Sequence, residues 1–203
     1  MNITEIDNKK DLFLIENLVT EELMDKLSKE VLEDIPFTKQ EGQEDWKRRK
    51  LVVTPGSVFE QIQQQIHSQR ESIGTAIERT ISAIRTVFWL DMPGFKVWMH
   101  MDNATQVFVV MQVYLKDCDD MGTIFYNPKD NEIEIRDDSQ KVHYIGVEGS
   151  HNPEAIRYEF ECKKNTGYLM LNNDRQLHGV PNVLPDGELR LSAYCYFSFE
   201  ENE

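Results

Sequence analysis

Cysteine is scarce in this chain of 203 residues: Cys118, Cys162 and Cys195 are the whole complement. They are odd in number and form no Cys-x-x-Cys pair, which argues against a disulfide framework or a thiolate metal cluster. They read as small residues of a reducing compartment. Long apolar runs are missing too. A membrane-spanning helix needs about 20 predominantly apolar residues, and no such stretch occurs. The opening MNITEIDNKKDLFLIENL lacks the basic start, apolar core and small-residue cleavage site of a secretory signal. A soluble, cytoplasmic protein is therefore expected. Positive charge is also in short supply: 22 Lys and Arg stand against 36 Asp and Glu, a formal net charge of −14. That balance argues against wide nucleic-acid contact. The one basic cluster, Lys47-Arg48-Arg49-Lys50, follows Glu41, Glu44 and Asp45. It reads as a solvated face rather than a dock for an anionic substrate.

What remains is an ordinary globular composition, 40% hydrophobic and 10% aromatic, on a length that suits one domain. Residues 1–90 are expected to supply an N-terminal strand and supporting helices. DLFLIEN suggests an edge strand. Thr20 caps a helix whose first turn holds Glu21 and Glu22, where the helix dipole favours negative charge, and Leu23, Leu27 and Val31 repeat along it. Ser57 with Glu60 forms a capping box. Phe59, Ile62 and Ile66 mark one face of the helix that follows, and Ile73, Ile77, Ile81 and Ile84 extend the stripe. From Phe88 the period changes to two. Strands are expected at 96–101, 106–115, 122–126, 157–161, 167–171 and 189–199, separated by Gly, Pro, Asn and Asp turns. Along the last of them Leu191, Ala193, Cys195 and Phe197 form an apolar face, with Arg190, Ser192, Tyr194 and Tyr196 opposite. Such strands suit a sandwich or jelly roll with a wet mouth and helices covering its back. Residues 127–165 turn polar, with a hairpin over NEIEIRDD and KVHYIGVEG, and form a candidate lid.

Chemistry enters at KVWMHMDNATQ. On a strand, Lys96, Trp98, His100 and Asp102 share one side, and Val97, Met99 and Met101 the other. His-x-Asp alone is weak. It gains weight from His178 in NNDRQLHGVPNV, because two histidines and one carboxylate can occupy one face of an octahedron and leave three positions open. That donor set is the facial triad of non-heme Fe(II) oxygenases. Arg190 follows His178 by twelve residues, with Ser192 on its face. A guanidinium fork binds a carboxylate bidentately and a neighbouring hydroxyl adds a hydrogen bond, so a dicarboxylate ligand fits the pair. His67, His143 and His151 read as surface residues.

In this order and spacing, His100, Asp102, His178, Arg190 and Ser192 resemble the Fe(II)/2-oxoglutarate-dependent dioxygenase superfamily. VYLKDCDDMGTIFYN, LHGVPNV and LIENLVTEELMDKLSKEV are similar to segments of its prolyl 4-hydroxylase-like branch. The resemblance covers residues 12–32 and 88–199. It implies a mainly β, α+β fold, a double-stranded β-helix of the jelly-roll or cupin-like kind with N-terminal helices on its outer face. It implies Fe(II) on His100, Asp102 and His178, with 2-oxoglutarate chelating the metal and pairing its far carboxylate with Arg190, Ser192 and Tyr114. With O2, such an enzyme releases succinate and CO2 and hydroxylates an unactivated C–H bond. The substrate would be a peptidyl side chain of prolyl type, a free amino acid or another small metabolite. A cupin-type enzyme independent of the keto acid and a non-enzymatic sensing barrel are the alternatives. The chain says nothing of oligomeric state.

Overall fold

The computed structural model describes residues 1–30, 32, 35–38, 47–102, 109–131, 133–137, 142–146, 152–173 and 175–199. Strands β1 (Asn2–Glu5) and β2 (Leu12–Glu16) form an antiparallel hairpin. Helix α1 (Glu21–Leu27) follows; the Thr20 side chain accepts from the Leu23 amide at its start. Next come β3 (Phe37–Thr38), β4 (Arg48–Leu51), α2 (Val58–Ser68) and α3 (Arg70–Ala76). At the head of α2, Ser57 Oγ accepts from the Glu60 amide at 3.2 Å, and the Glu60 carboxylate accepts from the Gly56 amide at 2.7 Å. The reciprocal bond of this box thus reaches one residue further back than the capping box of the sequence reading.

The remaining strands are β5 (Ile81–Asp91), β6 (Val97–Met101), β7 (Val109–Tyr114), β8 (Thr123–Tyr126), β9 (Ile133–Asp137), β10 (Val142–Gly146), β11 (Ile156–Phe160), β12 (Thr166–Leu171), β13 (Leu177–Val180) and β14 (Arg190–Phe199). Two antiparallel sheets result. The larger has the order β1-β2-β12-β7-β14-β5-β4-β3, and the smaller β11-β8-β13-β6-β10-β9.

The isoleucine stripe does not run on as helix. Glu78 takes a left-handed φ of 56°, and the Arg79 amide donates back to the Gly74 carbonyl at 2.9 Å, closing off α3. Ile81 and Ile84 then belong to β5. DLFLIEN is not an edge either, since β1 covers β2 on its outer side. The hairpin in the polar segment forms as β9 and β10, and β10 extends the smaller sheet by pairing with β6. Val31, residues 106–108, His151 and the acidic residues 41, 44 and 45 lie outside the described residues.

Two apolar layers hold these elements. Met24, Leu27, Phe59, Ile62, Ile66 and Ile73 of the helices share one cluster with Met111, Val113, Leu191, Ala193, Cys195 and Phe197 of the larger sheet. Fully burying an aliphatic side chain of this size contributes about 1.5–3 kcal/mol, so the helical stripe is a substantial part of the stability. A second cluster joins Leu12, Val110, Tyr114, Tyr168 and Met170 of the larger sheet to Phe125, Phe160 and Val180 of the smaller one. The polar face of β14 is therefore the one that looks toward the smaller sheet. Among the described residues no helix is long and apolar enough to cross a membrane.

Candidate active site

The smaller sheet sets β6 beside β13 and pairs His100 directly with His178. The two imidazole centroids lie 4.5 Å apart. Asp102 follows the end of β6, its Oδ1 3.6 Å from His100 Nε2. One donor atom from each of the three residues lies within 4.8 Å of the others. Both rings are oriented from behind: His100 Nδ1 sits 2.9 Å from the Trp98 carbonyl and His178 Nδ1 2.8 Å from the Gln176 carbonyl. A carbonyl only accepts, so each Nδ1 carries the proton and Nε2 is left with a lone pair that could ligate a metal. Phe125 stacks on His178 with a centroid distance of 5.3 Å. Burial, helped by the neighbouring His100, depresses the His178 pKa to about 4, which keeps a neutral imidazole. At His100 burial also pulls downward, but the Asp102 carboxylate outweighs it and the net direction is up.

Strict alternation along β6 fails at one point. Three steps from Val97 to His100 face two steps from Val180 to His178, so β6 carries a bulge. Val97, expected on the far side, consequently lines the same cavity as His100 and Asp102. Gly179 faces the bulge. A Cβ there would lie 2.8 Å from the Val97 carbonyl oxygen and 3.0 Å from the Met99 nitrogen, so the glycine of LHGV permits the close approach.

The cavity, about 240 Å³, is walled on its other side by the larger sheet. Arg48, Asp91 and Arg190 stand in register across β4, β5 and β14. Asp91 is fully buried and holds both cations. Arg190 Nη1 donates to its Oδ2 at 2.6 Å, while Arg48 Nε and Nη2 donate to Oδ1 and Oδ2 at 2.5 and 3.1 Å. Arg190 Nε donates to the Met121 carbonyl, and its buried Nη2 has no hydrogen-bond partner among the described residues. Burial opposes the Arg190 charge, yet the Asp91 carboxylate prevails and holds its pKa above the ordinary value. Two guanidiniums on one carboxylate leave one positive charge facing the cavity.

Around them Gln112, Thr123 and Tyr168 contribute polar atoms. Tyr168 donates to Gln112 Oε1 at 2.9 Å, and Gln112 Nε2 donates to Ser192 Oγ at 3.0 Å. The Tyr114 hydroxyl donates to Thr123 Oγ1 at 2.8 Å and accepts from the Thr123 amide at 2.9 Å, while its ring lies 5.0 Å beneath the Arg190 guanidinium. His100, Asp102, His178 and Arg190 thus line one cavity, with Tyr114 and Ser192 one layer behind it. Sequence reasoning missed Arg48 and Asp91. The basic cluster is no solvated face at Arg48, whose guanidinium turns inward over the Phe95 ring at 4.5 Å. The available signal was alternation, which separates Arg48 from Arg49 on a strand. Trp98 packs against the cluster formed by Met99, Met101, Ile124, Tyr126 and Leu177, and His67 is half-buried against Thr86.

No protein-family model and no curated protein sequence matches the chain. Solved structures do. A prolyl-4-hydroxylase of Pseudomonas putida aligns over 94% of this chain and 93% of its own, at 16% identity and a TM-score of 0.58. The fold is that of the prolyl hydroxylases. A prolyl hydroxylase of Trichoplax adhaerens, solved with a peptide fragment of the hypoxia inducible factor oxygen degradation domain, covers 96% of this chain and 86% of its own at 12% identity and a TM-score of 0.62. HygX of Streptomyces hygroscopicus, solved with nickel, 2-oxoglutarate and hygromycin B, covers 92% and 82% at 14% identity and a TM-score of 0.57.

Proposed function

We propose that this chain is an Fe(II)- and 2-oxoglutarate-dependent dioxygenase, a single domain built as a double-stranded β-helix with its helices on the outer face. The observation that carries the reading is one cavity holding two kinds of anchor. Three donor atoms lie within 4.8 Å of one another, and a buried arginine has an unpartnered Nη2. The donor set suits ferrous iron: neutral imidazoles and a carboxylate, with no thiolate. The charges fit as well. A divalent ion with Asp102, added to the surplus charge of the Arg48-Asp91-Arg190 row, makes two positive charges, which a dicarboxylate dianion neutralises. The same row favours a keto-acid enzyme over a cupin-type enzyme that uses metal alone.

Fe(II) would be held by His100, Asp102 and His178, and 2-oxoglutarate by the metal and Arg190. Bound together, they would supply the electrons that activate O2, the keto acid being oxidised to succinate and CO2 as an unactivated C–H bond is hydroxylated. The chain's own groups orient and exclude. The Trp98 and Gln176 carbonyls fix the imidazole rings, and Asp91 fixes both guanidiniums. Tyr114 serves through Thr123 and Ser192 through Gln112, each aiming a cavity-lining polar group at the cosubstrate carboxylate. The β9–β10 hairpin, within the 127–165 segment and paired to the ligand strand β6, takes the role of a lid. The substrate is a peptidyl side chain of prolyl type, an amino acid or a small metabolite. The Trichoplax enzyme in complex with a peptide and HygX in complex with hygromycin B are precedents for both sizes.

The test is an anaerobic titration with Fe(II) and 2-oxoglutarate. A visible charge-transfer band should appear, vanish in His100→Ala, and give way to succinate when O2 is admitted. Neither band nor succinate from the intact protein would overturn the assignment.

A further inference from the structure

The cavity-facing side of the larger sheet does not stop at the cavity. Trp89 and Tyr196 line it and also line a neighbouring groove of about 540 Å³, laid over β3, β4, β5 and β14. Lys50 and Arg85 line that groove, and among the described residues no carboxylate does. Among the described residues neither cation has an acidic partner, although the chain as a whole carries a net charge of −14. Tyr196 is 41% exposed and stacks at a tilt against Tyr194, which lines the cavity. Aromatic rings and unpaired cations therefore form one continuous track leading to the metal ligands.

We infer that this groove seats an acidic segment of a peptide substrate whose target side chain enters the cavity. The inference rests on the oxygenase reading and names its substrate class. Charge selects the ligand: two cations without an acidic partner among the described residues attract carboxylates, and the Tyr196 and Trp89 rings supply apolar contact. Shape selects a peptide over a small anion. Small-molecule sites enclose most of their ligand, whereas here the donors, a half-buried Lys50 and an exposed Arg85, are spread along the sheet. Arg85 lies four residues along β5 from Trp89, roughly 13 Å at the rise of a strand. About four residues of extended peptide cover that distance, so an acidic residue opposite Arg85 belongs at least four positions from the target. Nucleic acid fits less well. Backbone binding draws on many Lys and Arg phosphate contacts, and this chain is strongly acidic.

The experiment measures fluorescence anisotropy on the full chain loaded anaerobically with Fe(II) and 2-oxoglutarate. The probes are fluorescein-labelled Ala-Pro-Ala-Ala-Ala-Glu-Asp-Ala, its Gln-Asn counterpart and an oligothymidylate of eight nucleotides. The acidic peptide should bind at least fivefold more tightly than its amide counterpart at low salt. That preference should shrink in 0.3 M salt, since the Debye length then falls to roughly 6 Å. It should disappear in Lys50→Gln/Arg85→Gln and survive in the charge-retaining Lys50→Arg/Arg85→Lys. Equal affinities for the two peptides, or a preference that persists in the glutamine variant, would overturn the inference. So would tighter binding of the oligothymidylate, or displacement of the peptide by free glutamate at comparable concentration. The charge-transfer band, followed in the same samples, should persist in both double variants. Loss of the band in the intact protein counts against the oxygenase reading, and equal peptide affinities with the band present count against the groove alone.

Discussion

The two walls of the cavity are built in contrasting ways. On the smaller sheet, each imidazole is oriented by a carbonyl two residues earlier in sequence, His100 by Trp98 and His178 by Gln176. On the larger sheet, orientation comes from afar: Asp91 holds Arg48 across 43 residues of sequence and Arg190 across 99. The first wall is assembled from local hydrogen bonds on two neighbouring strands. The second exists only when β4, β5 and β14 are in register. Damage to the metal wall should therefore be chemical and leave the fold standing, whereas damage to the cation wall should be structural first.

The largest effect separates these modes. Asp102→Ala removes a partly exposed carboxylate just past the end of β6, so thermal stability should change little. Metal-dependent turnover should fall by more than about 100-fold, since loss of mere outer-shell partners already costs about 10–100-fold. Activity together with a melting curve on one preparation checks it. A large drop in Tm would show that Asp102 is structural and would erase the contrast.

Asp91→Asn probes the other wall. The fully buried Arg190 guanidinium and the part-buried Arg48 then lose their shared counterion, and breaking a buried pair in this way costs about 3–5 kcal/mol. Addition of 2-oxoglutarate should return part of the lost stability, because the ligand supplies a carboxylate to the same cations. Denaturant unfolding with and without the keto acid reads both effects. Arg190→Met is milder to the fold, as Arg48 still pairs with Asp91. It should weaken 2-oxoglutarate binding by roughly 10–150-fold, the equivalent of about 1.5–3 kcal/mol for hydrogen bonds to a charged group. Unchanged affinity would remove Arg190 from its role.

This contrast also explains what was legible beforehand. His-x-Asp and the later histidine are read from residue type and short spacing, and the period of two located β6, β7, β8, β11, β12 and β14 to within a few residues. Residue type alone makes Arg48 a solvated charge, because its partner lies 43 positions away, in a segment whose Ile81 and Ile84 fit a helical stripe equally well. What separated helix from strand there was the left-handed Glu78, a backbone choice that residue type does not announce. The bulge in β6 was hidden for a similar reason. Its sign in the sequence is Gly179, which stands on a different strand.

Gly179→Ala tests that bulge. With a methyl 2.8 Å from the Val97 oxygen, either β6 or β13 has to shift, at a cost of about 1–3 kcal/mol. For a chain of this size Tm should drop by about 2–12 °C. The shift also moves the His100–His178 pairing, so metal affinity should weaken in the same variant. If Gly179→Ala proved stable and its metal affinity were unaltered, the bulge would not be what sets the ligand spacing.

The smallest predicted effect concerns a residue on neither wall, on the opposite face of β14. Burial pushes the Cys195 thiol up to about 12, from an ordinary 9.0. The unfolded thiol ionises near pH 9 while the folded one keeps its proton, so the contribution to stability is complete below pH 9 and is lost as pH rises from about 9 to 12. At pH 10 the loss amounts to about 1.4 kcal/mol, one unit's worth for a single group. Denaturant unfolding of the wild type and of Cys195→Ala at about pH 8 and pH 10 isolates it. The variant should be destabilised at both values, because a packed side chain is gone, but its further decline between them should be smaller by about that amount. Parallel declines would show that the thiol ionises in the folded chain as it does in water, and that the helix-facing side of β14 is wetter than its burial among Met111, Ala193 and Phe197 requires.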